Sequence, residues 1–444
     1  MRETNPIVST LPNPPFFNGN LTPTGDLDSL CNQLWPLVEA HLPESRKRPI
    51  RKKDAFRSLV ANFLMAMQTT EPELIAPRNK HFLNSASRYQ TSFITYDGVT
   101  KMLDAATEAG LIVQEIGSGK HKLTCSYTGG MRHIREATRV RPTDYLIQSL
   151  TPLLSLPIHS VIQWREDAEV IFLRGTKKGK DSGEQVEYTD TPETDRFREE
   201  VRRINQHLRR HPCHYTGERR INLMQDHVVR IFNNGDWQQG GRLYGYWPMN
   251  LSSGERPYLS IDGEPVADLD FGSCFVALLH VEDGTEFDPD TPDPFTISDY
   301  EEHRDTIKQC AYAILNAPKR IARYPEGVIE KGSVPPLSWR QMEAAIFDHI
   351  PLFKKHKYSA IGLRLMRRES DILIAVLLDL IERGIGFVPM HDGIMVPASK
   401  KQLTHALMLK HYQAITGQSI KIKEKTISKP RLRSFDDAMR EFFR

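Results

Sequence analysis

At 444 residues the chain is too long for one ordinary domain, so two or three are expected, each able to bury a normal core. A hydrophobic fraction of 39%, a charged fraction of 26% and a net charge of +3 suit a globular protein in water and do not by themselves identify nucleic acid as a partner. Five scattered cysteines (Cys31, Cys125, Cys213, Cys274, Cys310) without C-x-x-C spacing exclude a structural zinc site, and no run of about 18 apolar residues exists to span a membrane.

Residues 1–25 are rich in Pro, Asn and Thr and read as a flexible tail with no apolar signal segment, which with the unpaired cysteines suits a reducing cytoplasm. A first helix is expected from Asp26, with Leu30, Leu34, Val38 and Leu42 at four-residue steps and Pro36 as a point of kinking or delayed start. Arg46, Lys47, Arg48, Arg51, Lys52 and Lys53 form a basic cluster before a second helix over 54–68, a pattern that suits either a phosphate backbone or a solvated face. Val99, Met102, Leu103 and Ala106 predict a third helix, stopped by Gly110. Two strands then flank Gly117-Ser118-Gly119-Lys120, and helix, glycine stop, strand, basic turn and strand together predict a winged-helix-like α/β domain over residues 26–150, with Lys120 on the wing against nucleic acid. Residues 151–194 read as a connector with a mobile charged loop. Phe197, Val201, Ile204 and Leu208 give the next helix its apolar stripe, among a second cluster of arginines.

The chemistry concentrates in residues 230–400. Val266 to Phe271 reads as a buried strand with Asp268 and Asp270 on one face. An acid at the end of such a strand can hold a hard cation together with a neighbouring backbone carbonyl, here that of Phe271. Arg304, Lys308 and Tyr312 lie four residues apart and share one helical face, two cations for a triphosphate and an aromatic ring for a base or sugar. Arg367, Arg368, Glu369, Ser370 and Asp371 open a strongly apolar helix, with the acids placed to favour its N-terminus. Two apolar runs flank His391-Asp392-Gly393, which reads as a hairpin turn presenting a carboxylate.

In order and spacing these pieces resemble the palm and fingers of family A DNA polymerases and of phage-type single-subunit RNA polymerases. Asp270-Phe271 matches the strand end of motif A; Arg304, Lys308 and Tyr312 match the fingers helix; and His391-Asp392 matches the palm hairpin. Gly241-Arg242-Leu243 stands where the family has an arginine touching the primer–template duplex, and Arg367 and Arg368 stand in the helix before the hairpin. The resemblance implies an α+β chain in which residues 195–444 form a thumb-like helix, an antiparallel palm with helices, and helical fingers. It implies two Mg²⁺ ions, replaceable by Mn²⁺, held by Asp270, Asp392 and the Phe271 carbonyl. Nucleoside triphosphates would meet Arg304, Lys308, Tyr312 and Phe275, and a primed DNA or RNA template would meet Arg242, Arg367 and Arg368. Replication proteins are further partners it implies. The proton donor to the leaving group is either Lys308 or His391.

Three positions depart from that family. Gly393 replaces the acid after the hairpin aspartate, Asn316 replaces a tyrosine four residues after Tyr312, and Phe275 replaces the glutamate that reads the sugar in the DNA polymerases. A phenyl ring cannot accept a hydrogen bond from a 2′-hydroxyl, so Phe275, if it faces the site, favours dNTPs; its other placement is the apolar core. The missing acid also leaves open a DNA-binding replication initiator with an inactive palm, and a small-residue gate would instead make an RNA polymerase or primase. Asp268-Leu269-Asp270 read as the D-x-D of a glycosyltransferase leaves the hairpin and the Arg-Lys-Tyr helix unexplained.

Overall fold

The computed structural model describes residues 15–43, 49–69, 72–76, 78, 83, 87–89, 93–117, 121–125, 131–135, 138–177, 183–219, 221, 225–330 and 334–427. Helices alternate with largely antiparallel strand pairs, the α+β class expected from the sequence. The chain divides into two units, one of residues 1–169, 177–187 and 220–224, the other of residues 170–176, 188–219 and 225–444. No helix among the described residues is long and apolar enough to cross a membrane.

In the first unit, β1 (Leu21–Pro23) precedes α1 (Gly25–Glu39), α2 (Pro49–Thr69), β2 (Leu74–Ala76), α3 (Tyr96–Glu108), β3 (Ile112–Glu115), β4 (His121–Cys125), β5 (Met131–Arg135), β6 (Thr138–Pro142), α4 (Asp144–Leu150) and β7 (Ile162–Trp164). Helix α1 passes through Pro36 without breaking and buries Leu34 and Val38, while Leu30 and Leu42 are partly buried against the same core. The stripe Val99, Met102, Leu103 and Ala106 is fully covered. Thr95 caps that helix by accepting from Gly98 N at 3.0 Å, and Gly110 ends it at φ +70°. Helix α2 starts at Pro49 rather than at 54, so Arg51, Lys52 and Lys53 lie within it; Lys52 is buried, and these residues are not a uniformly solvated face.

The strand pairing departs from the sequence reading. Residues 112–115 do not pair with 121–125: β3 pairs with β6, β6 pairs with β2, and β4 pairs with β5. Backbone groups take partners from wherever a strand lies alongside, and residues 138–142, unassigned from sequence, supply the central strand of that sheet. Lys120, expected on the wing, lies outside the described residues.

The second unit begins with β8 (Ile171–Leu173) and α5 (Pro192–Arg210), started by a Thr191–Thr194 capping box and burying Phe197, Val201, Ile204 and Leu208 as its spacing predicts. Next come β9 (Cys213–Tyr215), β10 (Val229–Asn233), β11 (Asp236–Tyr244), β12 (Leu259–Ile261) and β13 (Glu264–Phe271). They are followed by α6 (Cys274–Asp283), α7 (Arg304–Asn316), α8 (Trp339–His349), α9 (Gly362–Glu382), β14 (Val388–Pro389), β15 (Gly393–Pro397), α10 (Lys401–Thr416) and β16 (Ile422–Lys425). One sheet runs β14-β15-β13-β12-β9, with β16 also pairing β13, and another runs β11-β10-β8. Over residues 268–270, strand β13 is therefore hydrogen-bonded on both edges, by β15 and by β16.

Helix α9 packs on β11 through polar locks. Ser370 Oγ donates to the Gly241 carbonyl, and Arg367 Nε donates to the Trp237 carbonyl at 2.9 Å. Gly240 and Gly241, at φ +81° and +77°, form the bulge of β11, and a Cβ on Gly241 would stand 3.0 Å from Arg367 Cδ. Beneath it, Arg230 is fully buried between Phe197 and Phe232 and donates to the Gly241 carbonyl at 2.8 Å. Burial pulls its guanidinium down to about 9, against the pull of Glu200.

Candidate active site

Period-two alternation puts Asp268 and Asp270 on one face of β13, but their partners differ. Asp268 is buried and bound to Arg256 at 2.6 Å, so it is neutralised in place and does not join Asp270 as a D-x-D pair. Asp270 faces Lys425 Nζ at 3.1 Å through Oδ2, while its Oδ1 is buried without a hydrogen-bond partner. Across the sheet Asp270 stands opposite Gly393, and Phe271 N donates to the Asp392 carbonyl at 3.0 Å. The two aspartates expected to work together are thus neighbours. Burial, and next the nearby Asp392, push the Asp270 carboxyl up to about 7.

The hairpin turn spans Met390 to Gly393, closed by Met390 N donating to the Gly393 carbonyl at 2.9 Å, with His391 and Asp392 at its centre. Gly393 is not at a left-handed turn position; it is the first residue of β15. A Cβ there would stand 2.3 Å from the Leu269 carbonyl oxygen and 3.1 Å from Asp270 Oδ1. The glycine permits close approach of two backbones, which explains why the acid usual at this position in the resembled family has no room here. His391 Nδ1 is buried and unpartnered, and the ring tilts 5.0 Å from Tyr244. Burial, then the positive charge of Arg242, hold His391 down to about 4, so its imidazole is neutral near pH 7.

Helix α9 begins at Gly362, so Arg367 to Asp371 lie in its second and third turns and do not open it. Glu369 is 1% exposed, and its Oε2 accepts from Arg242 Nε at 2.7 Å and also from Nη2. Burial raises the Glu369 carboxyl to about 7; Arg242 opposes this, while Asp392 and Asp270 add to it. Arg242 stacks 5.8 Å over the Phe275 ring, which sits 5.1 Å from Tyr312. Phe275 is thus covered, yet its neighbours are Arg242 and Tyr312 rather than only the apolar residues of α6.

Two cationic assignments need correction. Arg367 is buried against Phe197 and Phe232 and paired with Asp371, so it does not reach out to a phosphate backbone. Arg304 is already bound to Asp293 and Asp305, each at 2.6 Å, and its charge is locally balanced. Both outcomes follow from acids within reach that the helical stripe did not include. Lys308 lies 5.6 Å over the Tyr312 ring on the same face of α7, and Arg368 is half-exposed, with Glu282 at 3.4 Å.

The sequence reading named Glu369 only as an acid favouring the helix start and did not single out Lys425. Glu369 carried a signal: it shares the helical face of Leu365, Ile372, Leu373 and Val376, all buried, and a lone acid on an apolar stripe needs a partner. Lys425 carried none, because a lysine alternating along a short strand looks like any solvated one.

A pair of hard oxygen donors, one with an unpartnered buried oxygen, fits a divalent cation that keeps water and takes substrate phosphates for its remaining ligands. Among the described residues no group of three or more His, Cys, Asp or Glu side chains forms a metal cage, which Mg²⁺ does not require.

No family model and no curated protein matches the chain. Among solved structures it is similar to the POL domain of Pol1 from M. smegmatis in complex with DNA primer–template and dNTP, at 10% identity and a TM-score of 0.31. The match covers 52% of this chain and 50% of that one, so it spans about half of each.

Proposed function

We propose that the chain is a template-directed nucleotidyltransferase that extends a primed strand from dNTPs. The observation that carries this is the juxtaposition of Asp270, at the end of β13, and Asp392, in the Met390–Gly393 turn, in one half-buried place where an Asp270 carboxylate oxygen is buried and unpartnered. Asp270 and Asp392, with the Phe271 carbonyl, would hold Mg²⁺. Bound there, the metal would supply the positive charge that makes a strand-end hydroxyl nucleophilic and offsets the triphosphate.

The remaining work falls to side chains. Lys308, on the same helical face as Tyr312, meets the triphosphate. Its ammonium is also the proton donor to the leaving pyrophosphate, because a neutral His391 has no imidazolium proton to give near pH 7. Arg304, bound to Asp293, stiffens the start of α7. Tyr312 and Phe275 form an aromatic wall for base and sugar, with Phe275 rejecting the 2′-hydroxyl. Arg242 and Arg368 meet the strands. Incubation with primed template, Mg²⁺ and either dNTPs or NTPs tests the reading. Magnesium-dependent extension preferring dNTPs is expected, and no extension with either set overturns it, leaving the DNA-binding initiator that Gly393 favours. In the same assay Lys308→Ala is expected to raise the dNTP KM by roughly tenfold or more with template affinity unchanged; an unchanged KM with weakened template binding would reassign the helix.

The site's charges also set a pH dependence. The folded-state pKa of Asp270 and Glu369, each about 7, lies above the ordinary carboxylate range, so each contributes stability that is lost as pH rises from about 4 to 7. His391, held at about 4 against an ordinary 6.5, works oppositely and gains stability as pH rises from about 4 to 6.5, across most of that window. A cation must displace the Asp270 proton below pH 7. Melting scans are therefore expected to show a Mg²⁺-induced rise that is small at pH 5.5 and full at pH 8, and absent in Asp270→Asn. A rise independent of pH would remove Asp270 as the ligand.

Residues 26–150 are read as the part that grips duplex nucleic acid, through α3 and the region around Lys120. The support is the helix-and-strand order of that segment. Duplex binding by the full chain should weaken steeply with salt and lose about one unit of log–log slope in Lys120→Ala; an unchanged slope would leave Lys120 without that role.

A further inference from the structure

Glu369 has no place in the nucleotide-transfer reading so far, yet it is a buried acid close enough to both aspartates to feel their charge. A buried carboxylate is costly, and exchanging a buried ion pair for apolar side chains is often neutral or stabilising, so stability alone does not account for it. Its contacts suggest a mechanical task. Oε2 takes both Nε and Nη2 of Arg242, which fixes one edge of that guanidinium. The helix that carries Glu369 is fixed to the strand that carries Arg242 by Ser370 to the Gly241 carbonyl and Arg367 to the Trp237 carbonyl. Neither member of the pair can drift independently.

Arg242 also lies close enough to Asp392 to feel its charge. Without Glu369, a guanidinium with 19% of its side chain exposed keeps Asp392 as a nearby negative charge, in the hairpin whose His391 ring lies 5.0 Å from Tyr244, two residues along β11 from Arg242. A guanidinium fork matches carboxylate oxygens two at a time. Such a pairing would occupy the oxygens that a metal ion needs.

We propose that Glu369 is a positioning residue that holds Arg242 against Phe275 and away from Asp270 and Asp392, keeping both carboxylates open to a divalent cation. The idea rests on the assignment of those aspartates as metal ligands. It makes a claim that simple charge bookkeeping does not: removing Glu369 harms metal binding only while Arg242 is present to move.

The test is a double-mutant cycle on the full chain with Glu369→Gln, Arg242→Ala and both together, read by calorimetric titration with Mn²⁺ and by primer extension. Melting curves confirm that each variant is folded. Glu369→Gln alone is expected to weaken Mn²⁺ binding about tenfold, within the range for residues that orient a metal site from outside its ligands. In the Arg242→Ala background the same change is expected to shift affinity less than about twofold. An equal loss in both backgrounds means that Glu369 acts by its own charge and overturns the proposal, as do unchanged affinity in folded Glu369→Gln and a wild type that binds no Mn²⁺. The two readings fail separately. Coupling without nucleotide incorporation sinks the polymerase assignment and leaves the positioning role; incorporation without coupling does the reverse.

Discussion

Asp270→Asn and Asp392→Asn are each expected to lower magnesium-dependent nucleotide incorporation by about a thousandfold or more, the scale of losing a central electrostatic group from a dry site. Asparagine keeps the shape of aspartate and removes only the charge that a hard cation requires. Asp270 offers a second readout that separates loss of chemistry from loss of fold. Its carboxyl sits near 7, so above that pH the folded state carries a buried anion beside Asp392 that the unfolded chain carries at no such cost. Asp270→Asn should therefore melt no lower than wild type at pH 8 in the absence of metal, even though its pairing with Lys425 is lost. An inactive variant with wild-type or raised Tm supports the metal role. Wild-type rates in either variant would end the palm assignment.

Gly393→Ala is expected to be nearly as damaging, for a steric reason. The new Cβ would lie 2.3 Å from the Leu269 carbonyl oxygen and 3.2 Å from the Asp270 Cα, backbone atoms tied into the ladder between β13 and β15. Neither can swing aside as the end of a flexible side chain can. Relief requires parting the strands beneath the site, at about 3 kcal/mol, with loss of activity because Asp270 and Asp392 separate. Gly393→Asp restores the acid found in the resembled family and should be worse, not better. Gly254→Ala is the control: nothing lies within 4 Å of a Cβ there, and its denaturation midpoint should stay put. A Gly393→Ala protein with wild-type midpoint and activity would show that the two strands have slack.

The elements most legible in the sequence were those with unbroken periodicity. The stripes at Val99 to Ala106 and Phe197 to Leu208 each state which face is buried, whereas the strand through Asp270 is buried on both faces over 266–269. The nearness of Asp270 and Asp392 was expected only from the resemblance to the polymerase palm; neither the strand nor the turn states by itself which partner it meets. Other features depended on partners far along the chain. Arg367 looked like a phosphate contact, since nothing local to it announces that Phe197, Phe232 and the Trp237 carbonyl will enclose it. Arg304 likewise meets Asp293 only through a loop. Gly393 was read as a turn residue because Asp-Gly makes turns, whereas its glycine answers to Leu269 across the sheet. The expected pairing of residues 112–115 with 121–125 failed because turn chemistry can suggest a hairpin but cannot rule out a better strand elsewhere; β6 was that strand.

The double pairing of β13 has a consequence for how the protein is made. Residues 268–270 are complete early in synthesis, but their two partners, 393–397 and 422–425, leave the ribosome much later. Until then only Glu264 and Pro265 have a partner, in the preceding β12, and residues 268–270 have both backbone edges open. Such pairings of high sequence separation form slowly and expose strand edges to other chains. Nascent chains stalled before residue 422 should therefore bind holdase chaperones and resist native-like protection from proteolysis over 264–271. Release past residue 425 should close that window in one step, and the pocket that could accept a divalent ion comes into being only then.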